Sequence, residues 1–349
     1  MAEILALGLS HYPMLAMPDE HMAGLHKLML KNPELDPALR DPANWPEGAK
    51  AEWGDDEGKR AAARHRAELV GWMNKLRTAL DAFDPDLVVM WGDDQYENFK
   101  EDVVPPYCVN AHEKYRITIP NNNVWGETTE DAYDLPGNVA AGKYLVSKLI
   151  EEGFDAAYSY KPLHHPLGHA FTNAIHYLDY DRRGFSYPIL PISVNCYGRQ
   201  VISQRGGLPD FANPPRPEDL DPPAPTPKRL FDLGGAVARI LAASPYRVAL
   251  LASSGWSHAF LNVNSKFFCP DTDADLELYE ALCAGRYDVW RNYPAAEVEA
   301  RGQQEVLNWM CLAGALQELG RVPETTGFVS THIFNSSKVF LIAPPEASA

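Results

Sequence analysis

Five short, almost uninterrupted apolar runs punctuate the chain, at residues 4–9, 87–91, 189–194, 248–252 and 339–342. Runs of four to six residues without polar alternation read as parallel strands buried on both faces. This feature constrains the fold most, because such strands need helices packed on both sides of their sheet. The intervening stretches supply them. Residues 61–82, 139–152, 228–243 and 297–319 carry apolar side chains at helical spacing. The expectation is an α/β protein with a mostly parallel central sheet flanked by helices.

The 349 residues suffice for one large core, and no internal repeat divides them, so a single domain over 1–349 is expected. Two segments depart from the alternation. Residues 18–60, rich in Pro, Asp, Glu and Trp, form a long connection that reads as a lid or subunit-contact insertion. Residues 208–228 hold eight prolines and read as a proline-rich surface loop, since strand and helix material resumes on both sides.

Charge and cysteine usage narrow the partners. A net charge of −16 leaves no basic face for nucleic acid or an anionic membrane. No apolar run approaches the roughly 20 residues that cross a bilayer. The N-terminal MAEILALGLSHYP lacks the basic start and small-residue cleavage site of a signal peptide. Five cysteines, odd in number and without CxxC spacing, argue against a disulfide framework or a thiolate zinc site. A cytoplasmic setting is expected.

Ligands of open α/β sheets gather beyond the carboxyl ends of the strands, so the residues just past each run are informative. Ser10, His11, Tyr12 and Pro13 succeed the first run; Asp93, Asp94, Gln95 and Glu97 succeed the second. Asn195, Cys196 and Tyr197 come after the third, and SSGWSH, ending in His258, after the fourth. Such a concentration of polar groups at one sheet edge predicts a site. The segment KPLHHPLGHAFTNAIHYL (161–178) adds His164, His165, His169 and His176. Pro166 and Gly168 disfavour one regular helix through His165 and His169, so a loop histidine aimed at a pocket fits better than a zinc pair. His164 and His176 read as surface or packing residues. Glu305 precedes the apolar stretch VLNWMCL; it either lies on a solvated face or, if buried, needs a cation, a hydrogen-bond network or a metal.

Five fragments in order, GLSHYPML, WGDDQYENF, LGHAFTNAIHYL with YPILPISVN, SSGWSHAFLN and QQEVLNWMCLAGAL, carry a family resemblance over nearly the whole length. The chain resembles the class III extradiol ring-cleavage dioxygenases of the protocatechuate 4,5-dioxygenase catalytic-subunit type. The resemblance implies one ferrous ion held by two histidines and a glutamate, with open positions for a catechol-like substrate and O2. It assigns His11 and Glu305 as ligands, with Glu297 or Glu299 as fallbacks, and His258 and His169 as acid/base residues. Gln95 stands where relatives place the second histidine ligand. This leaves three outcomes: Gln95 ligates through its amide oxygen, Asp93 or Asp94 replaces it, or the metal is absent. Fe(II) is the implied cofactor, with Mn(II) or Zn(II) as alternatives.

Tyr96, Asn195 and Ser254 are expected to orient the substrate, and Trp256 and Phe260 to wall it. Lys161, Arg199 and Arg205 are candidate partners for a substrate carboxylate. The expected function is ring cleavage of a catechol-like or aminophenol-like aromatic by O2 in a homo-oligomer. A metal-free binding or scaffold protein and a metal-dependent hydrolase or lyase are the alternatives.

Overall fold

The structure, a computed structural model, describes residues 2–207 and 210–345. Its strands are β1 (Ile4–Leu9), β2 (Leu87–Asp93), β3 (Tyr107–Asn110), β4 (Lys114–Ile117), β5 (Tyr133–Pro136), β6 (Ala157–Ser159), β7 (Ile189–Val194), β8 (Val248–Ser253), β9 (Thr325–Val329) and β10 (Lys338–Ala343). Eight of them form one sheet in the order β6-β3-β7-β2-β8-β1-β10-β9, and β4 pairs with β5 separately. The α/β class and the flanking helices are as expected.

The centre of the sheet is parallel, β7, β2, β8 and β1 running in succession. Along β2 the pleat sends Leu87, Val89 and Trp91 to one core and Val88 and Met90 to the other, which is why this run lacks polar alternation. β10 departs from the parallel expectation. It lies antiparallel to both β9 and β1, because a short return from β9 reverses the chain without a crossover helix.

The expected helices 61–82, 139–152 and 228–243 appear as Lys59–Phe83, Val139–Glu151 and Pro227–Ala242. The expected helix 297–319 is instead two, Ala295–Ala300 and Val306–Glu318. Gly302 breaks it with φ 70, a left-handed value that side chains resist. A Cβ there would also lie 2.5 Å from the His258 carbonyl oxygen. Glu305 therefore stands at a helix N-terminal boundary rather than on a helix face.

Residues 18–60 fold into turns and two short helices, Gly24–Met29 and Glu47–Trp53. In the proline-rich loop, residues 208 and 209 lie outside the described residues, and the remainder is irregular apart from the turn Pro217–Asp219 until the helix Pro227–Ala242 begins. No described helix is long and apolar enough to cross a membrane.

Candidate metal centre

Three strand ends build the site. Ser253, the last residue of β8, is in register with Leu9 on one side and Gly92 on the other. This register brings together the segment just past β1, which carries His11, and the end of β2, which carries Asp93. The helix His169–Leu178 closes on β2 at Gly92, where a Cβ would lie 2.9 Å from the Phe171 ring and 3.0 Å from Ala170. The missing side chain lets the helix start, and with it His169, reach the strand ends.

Ligating atoms of His11, Asp93, His169 and Glu305 all lie within 4.8 Å of one another. His11 Nε2 is 3.6 Å from Glu305 Oε2 and 4.0 Å from Asp93 Oδ1. His169 Nε2 is 4.0 Å from Asp93 Oδ2. These separations are too long for hydrogen bonds. They match ligands sharing one ion, since neighbouring and opposite donors of an octahedral cation with bonds of about 2.1 Å stand roughly 3.0 and 4.2 Å apart.

The hydrogen-bond network orients each group. Ser253 Oγ donates to the Ala170 carbonyl at 2.7 Å, so at its 3.0 Å contact with His11 it accepts from Nδ1–H. His11 Nε2 then presents a lone pair to two carboxylates, an arrangement that a cation between them would satisfy. The Glu97 carboxylate accepts from His169 Nδ1 at 2.9 Å and from its backbone N–H at 3.0 Å, turning Nε2 inward. Glu305 Oε2 accepts from the Gly255 N–H at 2.8 Å, and Oε1 accepts from the Tyr197 hydroxyl at 2.6 Å and Gln95 Nε2 at 3.0 Å. His258 Nε2 stands 3.3 Å from the same Oε1.

Asp93 is fully buried, yet neither carboxylate oxygen has a hydrogen-bond partner. An orphaned buried carboxylate costs several kcal/mol unless a cation or a proton compensates it. Beside it are the lone pair of His11 and a second carboxylate. This donor set fits a divalent cation.

Charge states diverge accordingly. Burial pushes His11 down to about 3, outweighing the pull of Glu305. Burial also lowers His258. Burial would lower His169 too, but Glu97, Asp93 and Glu305 outweigh it and raise it to about 10. Burial raises Asp93 well above the usual carboxylate range, with Glu305 adding repulsion. For Glu305 the raising effect of burial is outweighed by His258, His11, His169 and the Tyr197 hydrogen bond, so it is held low. The site thus contains two imidazoles kept neutral, His11 and His258, and one kept charged, His169, a separation suited to acid/base work.

The cavity in front of this cluster is about 200 Å³ and is lined by His11, His169, His258, Glu305 and Gln95 together with Tyr12, Met14, Leu25 and Phe260. Leu25 belongs to the 18–60 segment, which therefore contributes to the cavity wall. Tyr12 is held by the Tyr177 hydroxyl, which donates to its carbonyl at 2.7 Å.

Several expected roles are displaced. Gln95 lines the cavity and turns its amide nitrogen toward Glu305 and Tyr197, where the buried carboxylate takes a donor. Asp94 faces away; it accepts backbone N–H groups from Glu97, Asn98 and Phe99 and so holds the turn. Tyr96 donates to Glu101, and Asn195 accepts from the Gly198 N–H at 2.9 Å; neither lines the cavity. Ser254 is buried away from it, and Trp256 packs edge-on against Trp290 and Trp309 in the core. Glu297 and Glu299 pair with Arg301 and Arg199 instead. His164 meets Asp102 at 2.7 Å and His176 the Thr118 carbonyl at 2.8 Å, in keeping with surface and packing roles.

Tyr12, Met14, Leu25, Asn335 and Ser336, which also line the cavity, had no role expected from sequence. Tyr197 carried a visible signal, its position just past β7, but no assigned contact.

An open α/β sheet with imidazoles and carboxylates clustered beyond its parallel strands defines a class: an enzyme-like fold with a candidate metal centre at its carboxyl edge. Residues 220–341 match the family model described as the catalytic LigB subunit of aromatic ring-opening dioxygenase. That part of the chain is similar to this family, in line with the resemblance read from the sequence. It is 28% identical over 246 residues to 2,3-dihydroxyphenylpropionate/2,3-dihydroxicinnamic acid 1,2-dioxygenase 2 of Pseudomonas putida, covering 69% of this chain and 62% of that protein. Similar proteins named 2,3-dihydroxyphenylpropionate/2,3-dihydroxicinnamic acid 1,2-dioxygenase are 27% identical over 186 residues in Photorhabdus laumondii (53% of this chain, 46% of the relative) and 28% over 193 residues in Klebsiella pneumoniae (55% and 49%). The matched part spans between 46% and 62% of these relatives' own lengths.

Proposed function

We propose that the protein is a non-haem, iron(II)-dependent dioxygenase that opens a catechol-like or aminophenol-like ring with O2. The observation carrying this reading is the buried, hydrogen-bond-free Asp93 carboxylate beside the ligating atoms of His11 and Glu305, with His169 at the same cluster. The family match and the names of the relatives support the same reaction class.

His11, Asp93 and Glu305 would hold the ion, Asp93 taking the place expected for Gln95. Bound iron supplies positive charge that favours the ionised diol and electron exchange with O2. The chain's own groups do the rest. His258 is neutral, lines the cavity and lies beside Glu305, so its Nε2 accepts the proton that leaves the substrate hydroxyl. His169, held charged by Glu97, donates a proton from Nε2 as the ring opens. Proton transfers of this kind contribute roughly 100- to 10,000-fold each. Gln95, Tyr197 and the Gly255 N–H fix Glu305.

The test is anaerobic reconstitution with Fe(II), Mn(II) or Zn(II), then screening of catechols, gallates and aminophenols for O2 uptake and a yellow ring-fission product. Uptake with iron alone is expected. His11→Ala is expected to lose the metal, whereas His258→Ala keeps it and loses turnover; full activity in both variants overturns the assignment.

A further inference from the structure

The cavity at the candidate metal centre has apolar side chains in its wall, Met14, Leu25 and Phe260. Beyond Phe260 lies a second cavity of about 230 Å³ that shares this ring and adds Phe211, Leu261 and Phe267. The two spaces therefore meet at one aromatic side chain. Among the described residues, neither wall contains a lysine or an arginine. The charged groups of the second cavity are Glu34 and Asp210.

The three cations that the sequence offered to a substrate carboxylate are elsewhere. Lys161 and Arg205 are exposed and line neither cavity. Arg199 is 3.4 Å from Glu299, with which it lines a different hollow. The buried Lys338 stands behind the Tyr12 ring, 3.9 Å from its centroid, and donates to the Phe334 and Ser336 carbonyls at 2.5 and 2.6 Å. It does not line the cavity.

We propose that the site selects a catechol whose ring substituent is uncharged and apolar, lying along Phe260 toward the second cavity. This rests on the ring-cleavage reading and adds the substrate class to it. A substituent carboxylate would lose its hydration beside Glu305 and find no lysine or arginine in the wall, and the charged His169 there is already paired with Glu97. An alkyl or aryl arm gains apolar contact in the same place. The similar proteins of Pseudomonas putida and Photorhabdus laumondii are named for a propionate-bearing catechol, so the inference separates this chain from them.

A matched pair of probes tests it: 3-propylcatechol and 3-(2,3-dihydroxyphenyl)propionate, which differ in the end of one three-carbon arm. Dissociation constants are measured by anaerobic equilibrium dialysis with the Fe(II)-loaded chain, and kcat/KM by O2 uptake. The propyl compound is expected to bind more tightly and to exceed the acid by on the order of 100-fold in kcat/KM. Leu25→Arg, which places a cation in the wall, is expected to narrow that ratio about tenfold or more. Equal or tighter binding of the acid by the unaltered chain overturns the inference and leaves ring cleavage standing. Failure of both catechols to bind overturns the ring-cleavage reading and this inference with it.

Discussion

Gln95 Nε2 lies 3.0 Å from Glu305 Oε1, so the side chain standing where a histidine ligand was expected instead holds a neighbouring carboxylate in place. Tyr197 donates to the same oxygen at 2.6 Å. Glu305 sits at the break between two helices, where backbone alone does not fix its side chain, and these two donors set its direction together with the Gly255 N–H on the other oxygen. A hydrogen bond to a charged acceptor is worth about 1.5–3 kcal/mol. Gln95→Ala should therefore lower kcat by roughly 10- to 100-fold while metal content, read by mass spectrometry, stays within about twofold. Gln95→Glu should be worse, because it sets a second carboxylate against the first. Loss of the metal in Gln95→Ala would return the ligand role to Gln95.

Asp93 has two buried oxygens without hydrogen-bond partners and a carboxyl pushed above its usual range by burial and Glu305. The metal-free protein carries this as a cost. Asp93→Asn should raise the unfolding free energy of the metal-free chain by about 1–3 kcal/mol, seen as a higher urea midpoint. The same substitution should weaken metal binding by at least about tenfold, because a neutral amide replaces an anionic donor. Stability gained together with metal affinity lost is the signature of a ligand. An asparagine that leaves both unchanged would show that Asp93 is a packing residue.

The 18–60 segment is pinned through His26, which is buried against the rings of Trp45, Trp53 and Phe268 at centroid distances of 5.1, 5.8 and 5.2 Å. Burial pushes its pKa down from 6.5 to about 4. Between these values the unfolded chain binds a proton that the folded chain refuses. The contribution of His26 is complete above pH 6.5 and is lost as pH falls, the loss reaching about 3 kcal/mol below pH 4. Urea unfolding at pH 7.5 and 5.0 should show a fall of which about 2 kcal/mol disappears in His26→Phe. An unchanged difference between the two pH values in that variant would assign the acid sensitivity to other buried histidines.

Much of this centre was legible in the sequence, for a physical reason. His11, Asp93 and His258 lie just past or at the ends of buried parallel strands, and parallel strands present their ends along one edge. What one sequence does not reveal is which of several adjacent polar residues turns inward. Asp93, Asp94 and Gln95 are consecutive, yet the pleat buries Asp93 at the site, the turn captures Asp94 with three backbone donors, and Glu305 captures Gln95. The split of the 297–319 stretch depended on a single left-handed glycine, Gly302, inside an otherwise helical pattern. Met14 and Leu25 were illegible as wall residues, because their place depends on how a long irregular segment packs back over the sheet.

The division of labour between the two histidines is separable by a coloured probe. His258 is neutral beside the cavity, whereas His169 is held charged by a carboxylate on its far side. If His258 takes the substrate proton, 4-nitrocatechol bound anaerobically to the Fe(II)-loaded chain should show the absorption of its ionised form, and His258→Gln should lose most of that shift. His169→Gln should keep the shift, because the proton has already left, yet lose about 100-fold or more in turnover for want of a donor. Both variants should retain the metal, since neither histidine is needed to complete the set of His11, Asp93 and Glu305. Metal loss in His169→Gln alone would make His169 a fourth ligand, with Glu97 orienting its ring, and would leave the second proton without its assigned source.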